Sequence, residues 1–317
     1  QPGRGIRSVK LLEMSYKNRG NFGVYINLER NRSSIEIGSS LDVSLSKIRK
    51  VKVDGKYISP LALTEYLGII SLTPLMDKIF IEGATNRRKF FDKISWVFIS
   101  AHANNVKLYE KAVKERNNLL KENSNDKVWF DNIEKHIVKY GTQIIINRFK
   151  VLKLLNEQIN NNIINFPKAN MNLVGEIENI FYQYPDINTF SEMYLKFLKE
   201  KRKIDFYRGF TSIGPHKTDL EVIYREKEMT ASLCSTGEQK SLLISIILSV
   251  AKSYKKHTNL SPILLLDEVF SHLDNDKKQN LSREIESLNS QAFMTGIDKS
   301  DFMTFNKDSC IINLDSN

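Results

Sequence analysis

The feature that most constrains the fold is a short apolar run, Ile263 to Leu266, that ends in two adjacent carboxylates, Asp267 and Glu268. Consecutive apolar residues without alternation are typical of a strand buried on both faces, as in the parallel sheet of an α/β protein. Such sheets bind their ligands at the carboxyl ends of the strands. The sequence therefore predicts an α/β fold with Asp267 and Glu268 at a ligand-binding edge.

The adjacency of the two carboxylates separates their roles, because successive strand residues point in opposite directions. We expect Asp267 to hold Mg²⁺, directly or through water, since hard cations prefer carboxylate oxygens. We expect Glu268 to orient and polarise an attacking water molecule as the catalytic base. A buried strand that ends in an acidic turn without a function would have the same sequence. The flanking segments therefore distinguish a ligand-binding edge from such a turn.

The segment before this strand, Ser235 to Lys240, opens a nearly all-apolar helix predicted from about Gly237 to Ala251. A glycine at a helix start permits close backbone approach, and the free N–H groups and the helix dipole favour an anion there. The alternative is an ordinary serine cap on a core helix. The position matches the signature loop of ABC-type ATPases, which contacts nucleotide held by a second copy. The predicted nucleotide contacts are Ser235, Gly237 and Lys240.

The segment after the strand, Ser271-His272-Leu273-Asp274, has the spacing of the D-loop of the same ATPases. We therefore expect Ser271 and Asp274 to lie at the interface of a head-to-tail dimer that holds two nucleotides.

A phosphate loop of the form G-x-x-x-x-G-K-[ST] does not occur in the 317 residues. The one Gly-Lys pair, Gly55-Lys56, has Lys50 at the first glycine position and Tyr57 at the last. Because the sequence starts at Gln1 rather than at methionine, we expect upstream residues to have been lost, cleaved or left out. We expect this stretch alone to bind ATP poorly and to be inactive as an ATPase.

Composition narrows the class of protein. Hydrophobic residues make up 41% and charged residues 26%, as in ordinary folded proteins, and no run of eighteen apolar residues occurs. We expect a cytoplasmic protein without a membrane span. Cys234 and Cys310 have no nearby ligands for zinc, which disfavours a zinc enzyme. The net charge of +10 suits an anionic partner such as nucleic acid, although the composition of the source genome could equally produce it.

The pattern of the chain divides it into three parts. Residues 1–75 are β-rich, residues 76–205 form a helical lid or arm, and residues 206–317 return to the head. Short strands are predicted at Phe22–Glu29, Ser34–Ile37, Ile48–Val53 and Lys56–Ile58, the last two joined by the hairpin signal Asp54-Gly55.

The lid is expected to be helical from about Pro74 through Lys201, with Asn123 to Asp126 as the turn of an antiparallel helical hairpin. The second head segment is expected to hold a β-hairpin, an amphipathic helix and two closing strands. These are Asp219–Tyr224 with Met229–Leu233, then Asp276–Leu288, then Ala292–Thr295 and Cys310–Leu314.

Together these segments carry a resemblance. The chain resembles RecF, a family of ABC-type ATPases of bacterial recombinational DNA repair, in three segments. They are Gly214-Pro215-His216-Lys217-Thr218 before Asp219, then Cys234 to Lys240, then Ile263 to Asp274. The resemblance covers essentially the whole chain. Further matching segments are Pro2 to Arg7, Leu72 to Asp77, Arg87 to Asp92, and Tyr109 with Arg116-Asn117.

The resemblance implies an ABC-ATPase-like head, a mixed β-sheet with flanking helices, with an inserted helical lid. It implies ATP and Mg²⁺ as cofactors, an ATP-dependent homodimer, and slow hydrolysis used as a switch. It implies binding to single-stranded or gapped DNA and duplex junctions, where RecO and RecR help to load RecA. The usual glutamine and histidine of ABC sites stay unassigned, since no glutamine lies between Gln1 and Gln143 and no histidine follows residues 292–295.

Three alternatives stay open at this stage. The chain could be a nucleotide-free remnant that serves as a DNA- or RecR-binding scaffold. A transporter nucleotide-binding subunit and an SMC-type arm share some motifs, but neither explains Gly214 to Leu220. Basic residues that could contact DNA are Arg87, Arg88, Lys89 and Lys217, although a charge run more often forms a solvated face.

Overall fold

Three β-sheets and eight α-helices make up the part of the chain that the structure describes. The computed structural model describes residues 14–15, 21–30, 33–42, 46–122, 126–161, 166–303, 305 and 309–313. The strands are β1 (Phe22–Arg30), β2 (Ser33–Asp42), β3 (Ser46–Val53), β4 (Lys56–Ile58), β5 (Ile69–Leu72), β6 (Ala169–Val174), β7 (Asp219–Tyr224), β8 (Met229–Thr230), β9 (Ile263–Leu266) and β10 (Ala292–Met294). The helices are α1 (Leu63–Tyr66), α2 (Ala84–Phe98), α3 (Ala101–Lys121), α4 (Lys127–Asn161), α5 (Glu176–Gln183), α6 (Ile187–Arg208), α7 (Thr236–Thr258) and α8 (Asn275–Ser287).

The first sheet is antiparallel, with the strand order β1-β2-β3-β4. Its last hairpin turns at Asp54 and Gly55, whose φ angles are 47° and 76°. Positive φ at both turn residues gives a backbone twist that matches the twist of the paired strands, which is why Asp-Gly favours this turn. The predicted hairpin is confirmed.

The second sheet is parallel, with the order β10-β9-β5, and β9 lies in its centre. Helix α7 packs on it and is buried at every position from Gln239 to Ala251. A residual void of only about 10 Å³ separates the apolar side chains of α7 from those of β5 and β9. The predicted strand Ile263–Leu266 is confirmed, although Ile263 and Leu265 are half-buried, and α7 continues seven residues beyond its predicted end at Ala251.

The helical hairpin consists of α3 and α4, which run antiparallel. His102 on α3 contacts Asn147 on α4, and Arg116 contacts Glu134, so the paired positions move in opposite directions along the chain. Helix α6 packs on α4 through Arg202 and Glu134. Most of the predicted turn, residues 123–125, lies outside the described residues. No helix within the described ranges is both long and apolar enough to span a membrane.

The prediction of helix throughout Pro74 to Lys201 is wrong at β6, which pairs antiparallel with β7 in the third sheet, β6-β7-β8. Burial alternates along β6, with Met171 and Leu173 inside and Asn170 outside. This period of two is the signature of a half-buried strand. The lid segment therefore contributes one strand to the sheet that the second head segment completes.

Two other predicted strands differ from the structure. In the segment Met229–Leu233, only Met229–Thr230 pairs with β7, because Ala231–Leu233 turns into a 3₁₀ helix before α7. Residues 309–313 are described without a strand, in contrast to the predicted Cys310–Leu314, of which Leu314 lies outside the described residues. The segment Pro2 to Arg7 also lies outside them.

A buried arginine joins three of the lid helices, α3, α4 and α6. Arg116 donates to Glu134 on α4 at 3.0 Å and to Asp205 on α6 at 2.7 Å, and all three side chains are fully buried. It also donates to Thr211 at 3.0 Å, in the loop that follows α6. Because a buried charge is tolerated only when paired, this cluster fixes how the helices pack.

A second buried arginine, Arg148, ties the lid to the segment 214–218. It donates through two nitrogens to Asp92 on α2, and through a third to Pro215 O and Thr218 Oγ1. Burial alone would raise the pKa of Asp92, but the charge of Arg148 and the hydrogen bonds from His102 and Arg148 lower it. This ion pair holds α2, α4 and the loop before β7 together.

Gly214 in this loop has a φ of 135°, and a Cβ there would collide with the hydroxyls of Tyr109 and Tyr194. Only glycine satisfies both constraints. The motif that sequence reasoning singled out before Asp219 is therefore a structural strap across the lid.

We predict that Arg116→Ala lowers the free energy of unfolding by about 3–5 kcal/mol, because it leaves two buried carboxylates with less compensating charge. Urea denaturation followed by circular dichroism measures this change. Lys111→Ala, at an exposed position of the same helix, should change stability by less than about 0.5 kcal/mol. A loss below about 1 kcal/mol in Arg116→Ala would contradict the buried-cluster account.

Candidate nucleotide site

The carboxylate edge of β9 is organised by Thr295, at the end of the neighbouring strand β10. The Thr295 hydroxyl donates to Asp267 Oδ1 at 2.6 Å and accepts from the backbone N–H of Glu268 at 3.0 Å. The backbone N–H of Asp267 donates to Leu72 O at 2.9 Å, which anchors it to β5. Asp267 is half-buried and Glu268 is exposed, so the two carboxylates occupy different environments.

The chain turns sharply after Asp267. Glu268 has a φ of 49° and His272 a φ of 62°, two left-handed conformations that non-glycine residues adopt rarely. The Glu268 carbonyl accepts hydrogen bonds from the backbone N–H and the hydroxyl of Ser271. Such backbone strain clusters at functional sites, and here it leaves the Glu268 side chain at the surface.

The start of α7 is a capping box. The Ser235 hydroxyl and backbone N–H both contact Glu238, whose backbone N–H donates back to Ser235. The ammonium of Lys227 and the hydrogen bonds from Ser235 lower the pKa of Glu238 to about 2. The backbone N–H groups of Thr236 and Gly237 donate to no other described residue, so they are open to an anion.

The two loops predicted for the dimer face meet in the structure. A Cβ on Gly237 would lie 3.4 Å from the carbonyl oxygen of His272, so the start of α7 lies directly beside the loop 271–274. Asp274 caps α8 by accepting from the Lys277 backbone N–H at 2.8 Å, and this hydrogen bond lowers its pKa. The helix start, this loop and the Glu268 turn thus form one connected surface, the composite face (residues 235–237, 267–268 and 271–274).

Lys240 is the exception among the predicted nucleotide contacts. Its side chain is buried, and its ammonium binds both carboxylate oxygens of Asp77 at 2.8 and 3.0 Å. Asp77 lies in the 3₁₀ turn after β5. Lys240 therefore ties α7 to the segment that follows β5, and we do not include it among the nucleotide ligands.

Two of the basic residues predicted as possible DNA contacts, Arg87 and Arg88, are also paired with other groups of the protein. Arg87 makes a two-pronged ion pair with Asp219, with both distances 2.7 Å. Arg88 donates to the Thr218 carbonyl at 2.8 Å, so both arginines hold α2 to the start of β7. Lys89 and Lys217 are exposed.

Sequence reasoning missed Thr295 and Asp77 as parts of this region. A usable signal existed for Thr295, because polar residues at the carboxyl ends of adjacent parallel strands meet at one sheet edge. Asp77 carried no such signal, since its partner lies 163 residues away.

The chemistry of the edge suits a magnesium ion bound together with phosphate. Mg²⁺ is usually held by one or two carboxylates plus substrate oxygens and water, and Asp267 offers such a carboxylate. Consistent with this partial ligand set, the described ranges contain no group of three or more His, Cys, Asp or Glu residues placed to hold a metal by themselves.

Residues 25–295 match a family model described as AAA domain, putative AbiEii toxin, Type IV TA system. A protein of Mesorhizobium japonicum named DNA replication and repair protein RecF is 36% identical over 302 residues, covering 94% of this chain and 79% of its own. A protein of the same name from Rickettsia bellii is 34% identical over 314 residues, covering 99% of this chain and 86% of its own.

Two solved structures have the same fold. The first is described as the recombination mediator protein RecF-ATPrS in RecFOR pathway; its TM-score is 0.81 at 22% identity, over 93% of this chain and 80% of that one. The second, RecF-ATP of the same pathway, gives a TM-score of 0.72 at 22% identity, over 89% and 77% of the two chains. These likenesses confirm the predicted α/β head of the ABC-ATPase type with its helical insertion.

We predict that Thr295→Val lowers the free energy of unfolding by about 1–2 kcal/mol, because it removes the hydroxyl that bridges Asp267 and the Glu268 backbone. Thr295→Ser keeps that hydroxyl and should retain most of the stability. Parallel urea titrations of both variants and the parent measure the effect. A loss of stability in the serine variant with parent-like stability in the valine variant would show that the methyl group, and not the hydrogen bonds, matters at this position.

Proposed function

Because the chain belongs to the RecF family of DNA replication and repair proteins, we propose that it works as an ATP-dependent, DNA-binding dimer. The observation that carries the proposal is the composite face, on which an open helix start lies beside the loop that leaves the carboxylate edge. Phosphate-binding and water-activating groups on one exposed face are what a shared nucleotide site requires.

The site is completed by a second copy of the chain in this proposal. Ser235 and Thr236 are exposed and Gly237 is half-buried, and within the described ranges the Ser235 hydroxyl bonds its own cap partner Glu238. A phosphate held by the opposite copy would complete the hydrogen bonding of these groups and add the helix dipole to its stabilisation. Ser271 and Asp274, on the adjoining loop, lie at the interface.

The geometry of the edge supports the catalytic roles that we propose. Asp267, fixed by Thr295 and by the β5 backbone, holds Mg²⁺ when nucleotide is bound. Glu268 is exposed and adjacent, so it orients and polarises water for slow hydrolysis. The proteins described as RecF-ATPrS and RecF-ATP support nucleotide binding on this fold.

ATP acts as the switch that assembles the dimer, and the dimer binds DNA. We assign single-stranded or gapped DNA and duplex junctions as the targets, with RecO and RecR as partners that help to load RecA in the cytoplasm. The RecFOR pathway named for the structural relatives and the net charge of +10 support this assignment. Lys89 and Lys217 are the exposed members of the basic set, and Arg87 and Arg88 position the loop that carries Lys217.

The three predicted parts keep these roles in the proposal. Residues 1–75 and 206–317 form the ATPase head, and residues 76–205 form the lid. The pairing of β6 with β7 and the hydrogen bonds from Arg148 to Pro215 and Thr218 support a rigid connection between the lid and the head. Nucleotide-driven docking of two heads would therefore move the lids as well.

We predict that Ser235→Arg abolishes MgATP-dependent dimerisation of the full-length protein while the monomer stays folded, because the bulky cation blocks the helix start. Analytical ultracentrifugation with and without MgATP measures the dimer fraction. Ser287→Arg is the matched control, since it adds the same side chain at the exposed far end of α8. Dimerisation of the Ser235 variant equal to that of the control would rule out the assignment of the signature loop.

We predict that Glu268→Gln slows ATP hydrolysis by about 100-fold or more, because it removes the group that polarises the attacking water. The same variant should hold ATP and lengthen the lifetime of the DNA-bound dimer. Single-turnover hydrolysis and DNA dissociation kinetics measure the two effects, with the exposed change Glu157→Gln as the control. Parent-like turnover in the Glu268 variant would show that another group is the base.

A further inference from the structure

A cleft with polar and cationic side chains opens beside helix α3 of the lid. It lies between α3 and the loop 209–217 and has a volume of about 340 Å³. This volume falls within the range of roughly 300–1,000 Å³ that is usual for ligand sites. The lining residues that bear on its chemistry are Glu110, Lys114, Asn117, Asn118, Lys121 and His216.

The cleft is open to an anion because its cations are unpaired. Lys114 and Lys121 are exposed, and neither forms an ion pair with another residue of the described ranges. Glu110 is the one carboxylate in the lining. Lys217, next to the lining residue His216, adds a further exposed cation at the rim.

The polar wall of the cleft is held rigidly. Asn117 accepts from the backbone N–H and the hydroxyl of Thr211 at 2.7 and 2.8 Å, and its amide nitrogen donates to no other described residue. His216 bonds the Tyr109 hydroxyl at 2.7 Å and the Thr211 carbonyl at 2.9 Å. Burial lowers the pKa of His216 to about 4, so it is neutral at pH 7 and shapes the wall without adding charge.

The rim of the cleft carries an exposed aromatic ring. Phe210 is 41% exposed, and the Lys217 ammonium lies 4.6 Å from the centre of its ring. Gly209, which precedes Phe210, lies beside the Lys121 side chain, and Lys217 follows the lining residue His216, so the loop that carries the ring borders the cleft. Tyr207, at 81% exposure, lies three residues earlier, in the last turn of α6. Exposed rings beside unpaired lysines are the combination with which proteins bind single-stranded nucleic acid.

We propose that this lid cleft, defined by Lys114, Asn117, Lys121, Phe210 and Lys217, binds a single strand of nucleic acid. The phosphates lie at the two lining lysines and the Asn117 amide, and an unpaired base stacks on Phe210. A duplex does not satisfy this site, because its bases are already stacked within the helix. The inference rests on the proposed DNA-binding function and gives the single-stranded part of the target its own surface.

Fluorescence anisotropy of a labelled oligo-dT with the full-length protein tests the proposal. Lys114→Glu/Lys121→Glu should weaken binding at least tenfold and reduce the salt slope of log K by about 1.4, the value for two lost phosphate contacts on a single strand. The control Lys150→Glu/Lys153→Glu makes the same charge change at exposed positions of α4 and should weaken binding much less. Equal losses in both double variants would overturn the cleft assignment.

The stacking step has its own variants. Phe210→Leu should weaken single-strand binding roughly tenfold, whereas Phe210→Trp keeps a ring and should restore it. Neither change should alter the affinity for a blunt duplex by more than about twofold, because no duplex base reaches the ring. A parallel loss of duplex and single-strand binding in Phe210→Leu would contradict stacking.

Further outcomes of these binding experiments distinguish a failure of the cleft assignment from a failure of the proposed DNA-binding function. A parent protein that binds neither strand nor duplex, with or without ATP, would overturn the proposed DNA-binding function itself. Parent-like duplex binding with unchanged oligo-dT binding in the cleft variants would overturn the cleft alone. If polyglutamate displaces the labelled oligo-dT as strongly as unlabelled oligo-dT does, the cleft binds acidic proteins and the proposal is overturned. If inorganic phosphate or thymidine monophosphate alone displaces it, the cleft binds a free small anion, and the proposal is overturned as well.

Discussion

The packing of helix α7 against the parallel sheet is the constraint on which the rest of the structure depends. The helix is buried on all sides through its middle, and only a void of about 10 Å³ remains between it and strands β5 and β9. A core packed this closely does not let the helix slide, because each displaced methylene group loses contacts on several sides. The start of α7 is therefore fixed relative to the carboxylate edge of β9. The buried ion pair between Lys240 and Asp77 adds a directional link that apolar packing alone does not provide.

The lid depends on this core through buried charge. Arg148 joins α4 to Asp92 on α2 and to the loop before β7, while Arg87 and Arg88 hold the same loop from the other side. Each of these contacts spans elements that are distant in sequence. A movement of the head that shifts β7 is therefore transmitted to the helical hairpin through paired, desolvated groups, which resist partial separation because an unpaired buried charge is costly. In the proposed nucleotide-dependent dimer, this connection is the physical route from the head to the proposed DNA-binding surface of the lid.

The local parts of this structure were predictable from the sequence, and its long-range pairings were not. The strand Ile263–Leu266 and the Asp54-Gly55 hairpin follow from apolar runs and turn chemistry, which act over a few residues. Strand β6 was missed because its alternation is short and stands among asparagines in a helical region. The partners of Arg87 and Lys240 could not be predicted, since a basic residue gives the same signal whether it is solvated or paired with a carboxylate more than a hundred residues away. Thr295 differs from these residues, because its place at the end of a predicted strand was a usable signal, but its pairing with Asp267 depends on the order of the strands.

The central claim is that the start of α7 in one copy and the carboxylate edge of another form one nucleotide site. Mixing two inactive full-length variants, Ser235→Arg and Glu268→Gln, tests this claim most directly. If the site is shared between copies, a mixed dimer contains one site with both changes and one site with neither. The mixture should then hydrolyse ATP well above the sum of the two separate rates. If instead each chain uses its own Ser235 with its own Glu268, every site in the mixture carries one of the two changes. The rate of the mixture would then be no higher than the sum of the two separate rates, and this result would contradict the account.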